Sequence, residues 1–482
     1  MLASRTFRRA LLPGARCASS FSVGDHPYAL AAALGGAGKK RGFVVTDPGS
    51  GAVVASDPCL DPLAAFLRDG AACPDYLRHE GLFFEVGARS GALCGAFLWN
   101  TARGAAGGGI RMIPYNSIQT YVVDGLRLAT GMGRKSALTG LWHGGGKGVI
   151  AQPDGERHLT DAAFRRSIFE DYGDFVTGLR GCYVAAEDSG VHVADMDVVF
   201  SRCRFTTCIS PELGGSGNPS VPTAAGVAMG MEGAVHFQEQ QAAAAAGAGA
   251  AAPSARPLEG KSIAVQGVGN VGRPLIGFLL EAGAARVVGA DISEANVALA
   301  QAEHAAAIAD GRVALRVSAA GDDSILAEDV DIVSPCAWGG VINPTTAPTI
   351  RAGVVCGAAN AQLLDPADDC GLTARGVLYV PDFAANPMGI VNCANEAYGR
   401  VGALGTTEDP MIADRLGRDY EFSVYNSALK VLRLAAAEGI STAEAANSLA
   451  DELCTRTHPI FGHRSQEIMD SLVAGDWAEG PL

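Results

Sequence analysis

Read for the spacing of apolar and polar positions, the chain changes texture twice. Between residues 59 and 220, short apolar runs (Leu82 to Val86, Leu93 to Trp99) mix with glycine clusters and helical stretches. Beyond residue 260 the runs alternate regularly with helices. Strands are predicted at Ser262 to Gln266, Arg286 to Ala290, Asp331 to Ser334 and Val354 to Gly357, with a helix over Asn270 to Ala282. Such strand–helix alternation predicts a parallel, doubly wound sheet. From about residue 401 the pattern is helical, and Tyr425, Ala428, Leu429, Leu432 and Leu434 form a stripe that stops at Gly439. Residues 242 to 257 separate the two textures: alanines broken by Gly247, Gly249, Pro253 and Pro257. With no large apolar residue and helix breakers close by, they predict an inserted loop rather than a long helix. No internal repeat is present.

Composition narrows the classes. The chain has 482 residues, 48% hydrophobic and 18% charged, enough for more than one domain with a real core and too apolar for general disorder. No uncharged apolar run reaches the roughly 18 to 20 residues of a membrane-spanning helix. A net charge of −14 and a pI near 5.1 argue against nucleic acid or an anionic membrane as main partner. The 12 cysteines are scattered without a Cys-x-x-Cys pair, so neither a disulfide scaffold nor a metal site is predicted. Residues 1 to 24 differ from the body: Arg5, Arg8, Arg9 and Arg16 precede the first acidic residue, Asp25. This predicts a transit peptide, with the mitochondrial matrix as destination and a plastid as the alternative. Residues 25 to 58 read as an N-terminal extension with a short hairpin around Asp47 to Gly51 and no assignable chemistry.

Gly267-Val268-Gly269-Asn270-Val271-Gly272 matches a dinucleotide-binding turn. Three glycines at those offsets arise by chance about once in so glycine-rich a chain, so the surroundings decide. A strand leads in, a helix leads out, and the next strand ends at Asp291. The glycines permit the tight turn and the close approach of a pyrophosphate, the helix N-terminus offers free N–H groups, and Asp291 can accept from ribose hydroxyls. That carboxylate repels a 2′-phosphate, and no Arg or Lys follows closely, so NAD is predicted over NADP.

Only six of the 37 basic residues are lysines: 39, 40, 135, 147, 261 and 430. Arg stays protonated in a protein, whereas a buried Lys can lose its proton, so a lysine is informative here. Lys147 stands in Trp142-His143-Gly144-Gly145-Gly146-Lys147-Gly148, where glycines let a substrate approach, and Lys135 lies twelve residues earlier. The segment is not a P-loop, since Leu141 and Gly148 break that motif; nor is it an esterase, since no G-x-S-x-G occurs. Two lysines in one cleft would divide the labour, one charged to hold a carboxylate and one neutral as base. Asp188, in Glu187-Asp188-Ser189-Gly190 after an apolar run, is the candidate proton carrier beside them.

These residues resemble the glutamate/leucine/phenylalanine/valine dehydrogenase family, most nearly its leucine branch. The likeness runs from about residue 80 through Gly108 to Met112, Lys135, the GGGK segment, Ala186 to Gly190, Gly217 to Ser220, the glycine turn, Ser334 to Ala337, Gly357 to Asn360 and Gly389 to Asn392. It implies a substrate-binding and oligomerisation domain over 59–220, a Rossmann NAD-binding domain over 221–400, and a C-terminal helical segment over 401–482 that packs back. It implies oxidative deamination of an L-amino acid to a 2-oxo acid and ammonia. Lys135 with Gly108 and Gly109 would hold the substrate carboxylate, Lys147 would activate water, and Asp188 would shuttle protons. Asn360 would sit where substrate and nicotinamide meet, and Cys336 and Ala337 would border the cofactor. The cleft would close on substrate, in a homo-oligomer built through the first domain. Gly107, Ala186, Ile390 and Cys393 fall where the side-chain pocket lies; no lysine stands near Gly107 to pair a glutamate side chain, so an apolar, branched-chain or similar, substrate is expected. A phenylalanine- or glutamate-type enzyme and a non-catalytic NAD-binding regulatory subunit are the alternatives.

Overall fold

Paired aromatic residues such as Phe83-Phe84 point to opposite faces of a strand, so a strand carrying them must be covered on both sides. The computed structural model, which describes residues 20–153, 155–247, 253–399 and 409–479, provides that cover. Its first sheet has seven strands: β1 (Arg41–Thr46), β2 (Val53–Ala55), β3 (Gly81–Val86), β4 (Leu93–Trp99), β5 (Ala106–Ile113), β6 (Gly144–Ala151) and β7 (Tyr183–Glu187). Their spatial order is β2-β1-β3-β4-β6-β5-β7. β5 runs parallel to both β6 and β7, and the other pairs are antiparallel. Phe83 packs with Tyr172 and Phe175 of the Ala162–Gly178 helix on one face, and Phe84 with Phe97 and Tyr121 of the Ile118–Leu138 helix on the other. Full burial of each such ring contributes about 2–3 kcal/mol.

The second sheet has six parallel strands: β8 (Ser262–Gln266), β9 (Arg286–Asp291), β10 (Val313–Val317), β11 (Ile332–Pro335), β12 (Val354–Val355) and β13 (Leu378–Tyr379). The order β10-β9-β8-β11-β12-β13 is that of a dinucleotide-binding sheet, whose direction of winding reverses between β8 and β11 and opens a crevice at their carboxyl ends. The expected two-domain α/β architecture is therefore present.

Several boundaries differ from the sequence reading. Residues 25–58 are not an appendage, because β1 and β2 form the expected hairpin and β1 pairs with β3 inside the first sheet. The end of the expected leader also joins the fold: Phe21 is buried and the Val23 carbonyl accepts from the Gln119 N–H at 2.8 Å; residues 1–19 lie outside the described residues. The alanine-rich stretch begins as helix, since one helix runs Ser220–Ala246 and ends where Gly247 adopts φ 77°. The C-terminal segment, described from residue 409, packs back as expected. Tyr425, Leu429, Leu432 and Ala450 complete the core of the second sheet, while Met469, Leu472 and Trp477 return to the first. Among the described residues no helix is long and apolar enough to cross a membrane.

Candidate active site

Three neighbouring strands make the floor. Gly107 of β5 pairs with Gly145 of β6, and Gly109 with Ala186 of β7. A Cβ at Gly108 would overlap the Gly146 carbonyl and one at Gly109 the Glu187 carbonyl, so only glycine lets these strands close up. Along β6, Tyr172 and Tyr183 fill the face of Gly146 and Gly148; alternation turns Lys147 to the other face, toward the Ile118–Leu138 helix. Its side chain is 3% exposed and ion-paired with Asp188, which follows β7. Arg111 shares that face, since it pairs with Val149, two residues on from Lys147. One of its nitrogens lies 3.5 Å from Asp188 and another 3.1 Å from Asp124.

Burial holds the Lys147 amine well below the usual lysine range; the Arg111 guanidinium adds to this, Asp124 opposes it, and Lys135 adds a smaller push. The Asp188 carboxylate favours the ammonium, but it is partly solvated and also accepts the Ser189 N–H at 2.7 Å. Its charge is shared among several donors, so burial sets the direction.

The ceiling comes from the second domain. Lys135 stands in the last turn of the Ile118–Leu138 helix, where a cation is favoured; the other end is fixed by a Ser117–Thr120 capping box. Its Nζ lies 3.4 Å from Oδ1 of Asn360, which follows β12. The same oxygen accepts from Asn386 at 3.0 Å, and Asn386 also donates to the Ala358 carbonyl at 2.8 Å. Desolvation lowers the Lys135 pKa, and the nearby Asp382 carboxylate works against it.

A cavity of about 510 Å³ joins these groups and is bounded by both domains. Gly107, Ala186, Ile390 and Cys393 are in its wall, as are His143 and Thr207. None of these six is charged, since burial lowers the His143 pKa to about 4. Glu187 also borders the space, and burial followed by the charge of Asp195 raises its pKa to about 7.

The crevice end lies at the carboxyl ends of β8, β9, β11 and β12. Gly267 has φ 87° and a Cβ there would press on Ala337; one at Gly272 would overlap the Gly267 carbonyl. Gly269 faces only the Asn296 side chain at 3.4 Å, which leaves its backbone open. The Asn270–Val271 step leads into the Gly272–Glu281 helix, and Val271 reaches the cavity wall. Cys336 donates its N–H to the Gln266 carbonyl at 2.7 Å, tying the β11 turn to the glycine turn. Asp291 accepts from the N–H groups of Val268 and Ser293, each at 2.8 Å. A tight glycine cradle, an open backbone at Gly269 and a fixed carboxylate after the second strand fit a dinucleotide.

Comparison with known proteins agrees with this geometry. A family model described as Glutamate/Leucine/Phenylalanine/Valine dehydrogenase matches residues 233–450, and one described as Glu/Leu/Phe/Val dehydrogenase, dimerisation domain, matches residues 95–205. A leucine dehydrogenase of Geobacillus stearothermophilus is 37% identical over 78% of this chain and 90% of its own length. The chain belongs to the glutamate/leucine/phenylalanine/valine dehydrogenase family. A valine dehydrogenase of Streptomyces coelicolor is likewise 37% identical, over 79% of this chain and 93% of its own. The crystal structure of an L-tryptophan dehydrogenase from Nostoc punctiforme superposes with a TM-score of 0.60 at 26% identity, covering 78% of this chain and 96% of that one.

Within this family fold, several residues at the site carry no role in the sequence reading: Arg111, His143, Glu187, Asp382 and Asn386. Arg111 was legible in principle, because alternation on parallel strands places it on the face of Lys147. Asp382 and Asn386 reach the cleft through packing of a short helix far along the chain, and no local pattern announces them.

Proposed function

We propose that this chain is an NAD-dependent dehydrogenase that oxidatively deaminates an apolar L-amino acid, branched-chain or similar, to the 2-oxo acid and ammonia. The observation that carries the reading is a buried lysine, Lys147, paired with a carboxylate, Asp188, that also faces the Arg111 guanidinium, in a cavity that also reaches Lys135, Asn360 and the glycine turn.

Lys135, with the Gly108–Gly109 backbone, holds the substrate carboxylate and so presents the α-carbon to the crevice. Bound NAD supplies the acceptor for the α-hydride. Asp188, at the end of β7, takes protons from the substrate nitrogen and returns them. Burial favours the neutral form of Lys147, and the free amine removes a proton from water as that water adds to the imino carbon. Asn360, tethered by Asn386, fixes the distance between the two halves of the cleft. Asp291 favours NAD over NADP by repelling a 2′-phosphate. The uncharged wall at Gly107, Ala186, Ile390 and Cys393 favours apolar side chains, since an unpaired glutamate carboxylate there would be costly to bury. Gly107 contributes no side chain, which leaves room for larger groups. The first domain is the surface for self-association.

The test is NADH formation with valine, leucine, isoleucine, phenylalanine, tryptophan and glutamate, repeated with NADP. Turnover fastest with an apolar amino acid and NAD supports the reading. Preference for glutamate refutes the pocket argument, and tight NAD binding without turnover on any amino acid supports a regulatory subunit instead.

A further inference from the structure

The sulfurs of Cys208 and Cys393 lie 3.0 Å apart, and they come from different halves of the molecule. Cys208 follows β7 and packs in the core of the first sheet. Cys393 lies on the Met388–Tyr398 helix, whose Met388, Val391 and Ala394 pack on Leu141, Ile412 and Val424. Two features hold the sulfurs in register. Glu396, three residues on from Cys393, accepts the N–H of Cys208 at 3.0 Å and that of Ser216 at 2.7 Å, latching the loop to the helix. Cys208 itself has φ 61°, in the left-handed region where a residue with a side chain is strained and the surroundings must hold it. Both residues line the cavity, but Cys393 is partly exposed whereas Cys208 is 1% exposed.

We propose that Cys208 and Cys393 form a redox-modified pair: a peroxide entering the cleft oxidises Cys393, Cys208 resolves it, and the resulting disulfide disables the site. In the first step the Cys393 sulfur attacks one oxygen of hydrogen peroxide, the O–O bond breaks, and the departing hydroxide takes the thiol proton as water, leaving a sulfenic acid. In the second, the Cys208 sulfur attacks that sulfur, the S–O bond breaks, and hydroxide leaves with the Cys208 proton as a second water. Two thiols lose two electrons and one peroxide becomes two waters.

The order of events follows from the geometry. Cys393 is the sulfur more open to an oxidant, since Cys208 is 1% exposed. The thiol of Cys208 is held protonated, first by its hydrogen bond to Cys393 and then by burial, so it waits as the resolving partner. The sulfurs must approach by about 1 Å to reach disulfide length. Once formed, the link ties the loop after the Val193–Arg202 helix to the helix that carries Ile390, so the two sides of the pocket cannot part. This effect on turnover rests on the proposed function; the pairing itself does not.

The experiment uses the full chain, reduced, desalted and then treated with hydrogen peroxide, read by peptide mass mapping and by the amino-acid dehydrogenase assay. A cross-linked Cys208–Cys393 peptide lacking two hydrogens is expected, with activity falling by about tenfold or more and returning with dithiothreitol. In Cys208→Gly, where glycine suits the backbone, no cross-link forms and the dithiothreitol-reversible loss, relative to that variant's own reduced activity, disappears. The proposal is overturned if no such peptide forms at peroxide levels that oxidise the exposed Cys370, if the link forms and activity is unchanged, or if Cys208→Gly shows the same reversible loss. A cross-link in a chain with no dehydrogenase activity even when reduced would sustain the pairing and count against the proposed function alone.

Discussion

Replacing Lys147 with methionine deletes the amine and keeps a similar unbranched stem in a site that is 3% exposed. If that amine is the base, its loss lowers kcat/KM by about 10²–10⁴-fold; the middle of that range, about 10³-fold, corresponds to about 4 kcal/mol of transition-state stabilisation. The fold should hold, because Asp188 keeps Arg111 at 3.5 Å and the Ser189 N–H at 2.7 Å. The pH profile sharpens the test. Below its pKa the amine is an ammonium and cannot accept a proton, so kcat/KM climbs with pH until the amine is free, with the inflection below the ordinary 10.5. Arg111→Leu removes a cation that favours the neutral amine, so the rising limb moves to higher pH. Stability follows the same proton: between the depressed folded value and 10.5 the unfolded chain binds it and the folded chain does not. Stability from this group therefore rises with pH across that window, and Lys147→Met flattens the slope. The assay is kcat/KM from about pH 6 to about pH 11, with NAD binding and Tm measured on the same samples. A folded, NAD-binding Lys147→Met protein within about tenfold of the parent rate refutes the base assignment, as does an Arg111→Leu limb displaced to lower pH.

Gly108→Ala forces a Cβ onto the Gly146 carbonyl and should destabilise the first sheet by about 3 kcal/mol, read as a lowered Tm together with lost turnover; an unchanged Tm would contradict the close strand approach. Glu187, raised from 4.5 to about 7 by burial, binds a proton in the folded state that the unfolded chain releases, so the stability it contributes falls as pH rises through that window. Glu187→Gln should accordingly raise stability at pH 8 by about 1 kcal/mol, after allowance for solvent screening, and leave it little changed at pH 4, as thermal melts at the two pH values will show. Asp291→Ser removes the carboxylate beside the glycine turn; KM for NAD should rise and that for NADP fall by about tenfold each, and an unchanged ratio of the two would exclude Asp291 from cofactor choice.

How legible the fold was depended on how local its causes are. β8, β4 and most of β9 are readable almost to the residue, because a strand buried on both faces needs an uninterrupted apolar run and each of these is bounded by glycine, polar residues or asparagine. β13 is two residues long and β10 is largely exposed along its edge, so neither leaves a strong pattern. The alanines at 242–246 were misread for a different reason. They extend a helix already nucleated by the preceding 22 residues from Ser220, and adding a turn to an existing helix costs far less than starting one.

The same division holds at the site. Sequence by itself determined which residues are chemically unusual: a lysine among glycines in an arginine-rich protein, an acid after an apolar run, a glycine turn followed by Asp291. It also carried enough ordered motifs to identify the family. Tertiary structure alone decided their company. Strand register put Arg111 on the face of Lys147, the packing of the Ile118–Leu138 helix brought Lys135 to Asn360, and the return of the Met388–Tyr398 helix set Cys393 against Cys208. The physical reason is that residue type and local pattern depend on near neighbours in the chain. Burial, charge proximity and thiol contact depend on segments far apart in the chain, 225 residues between Lys135 and Asn360, and only the folded core fixes those distances.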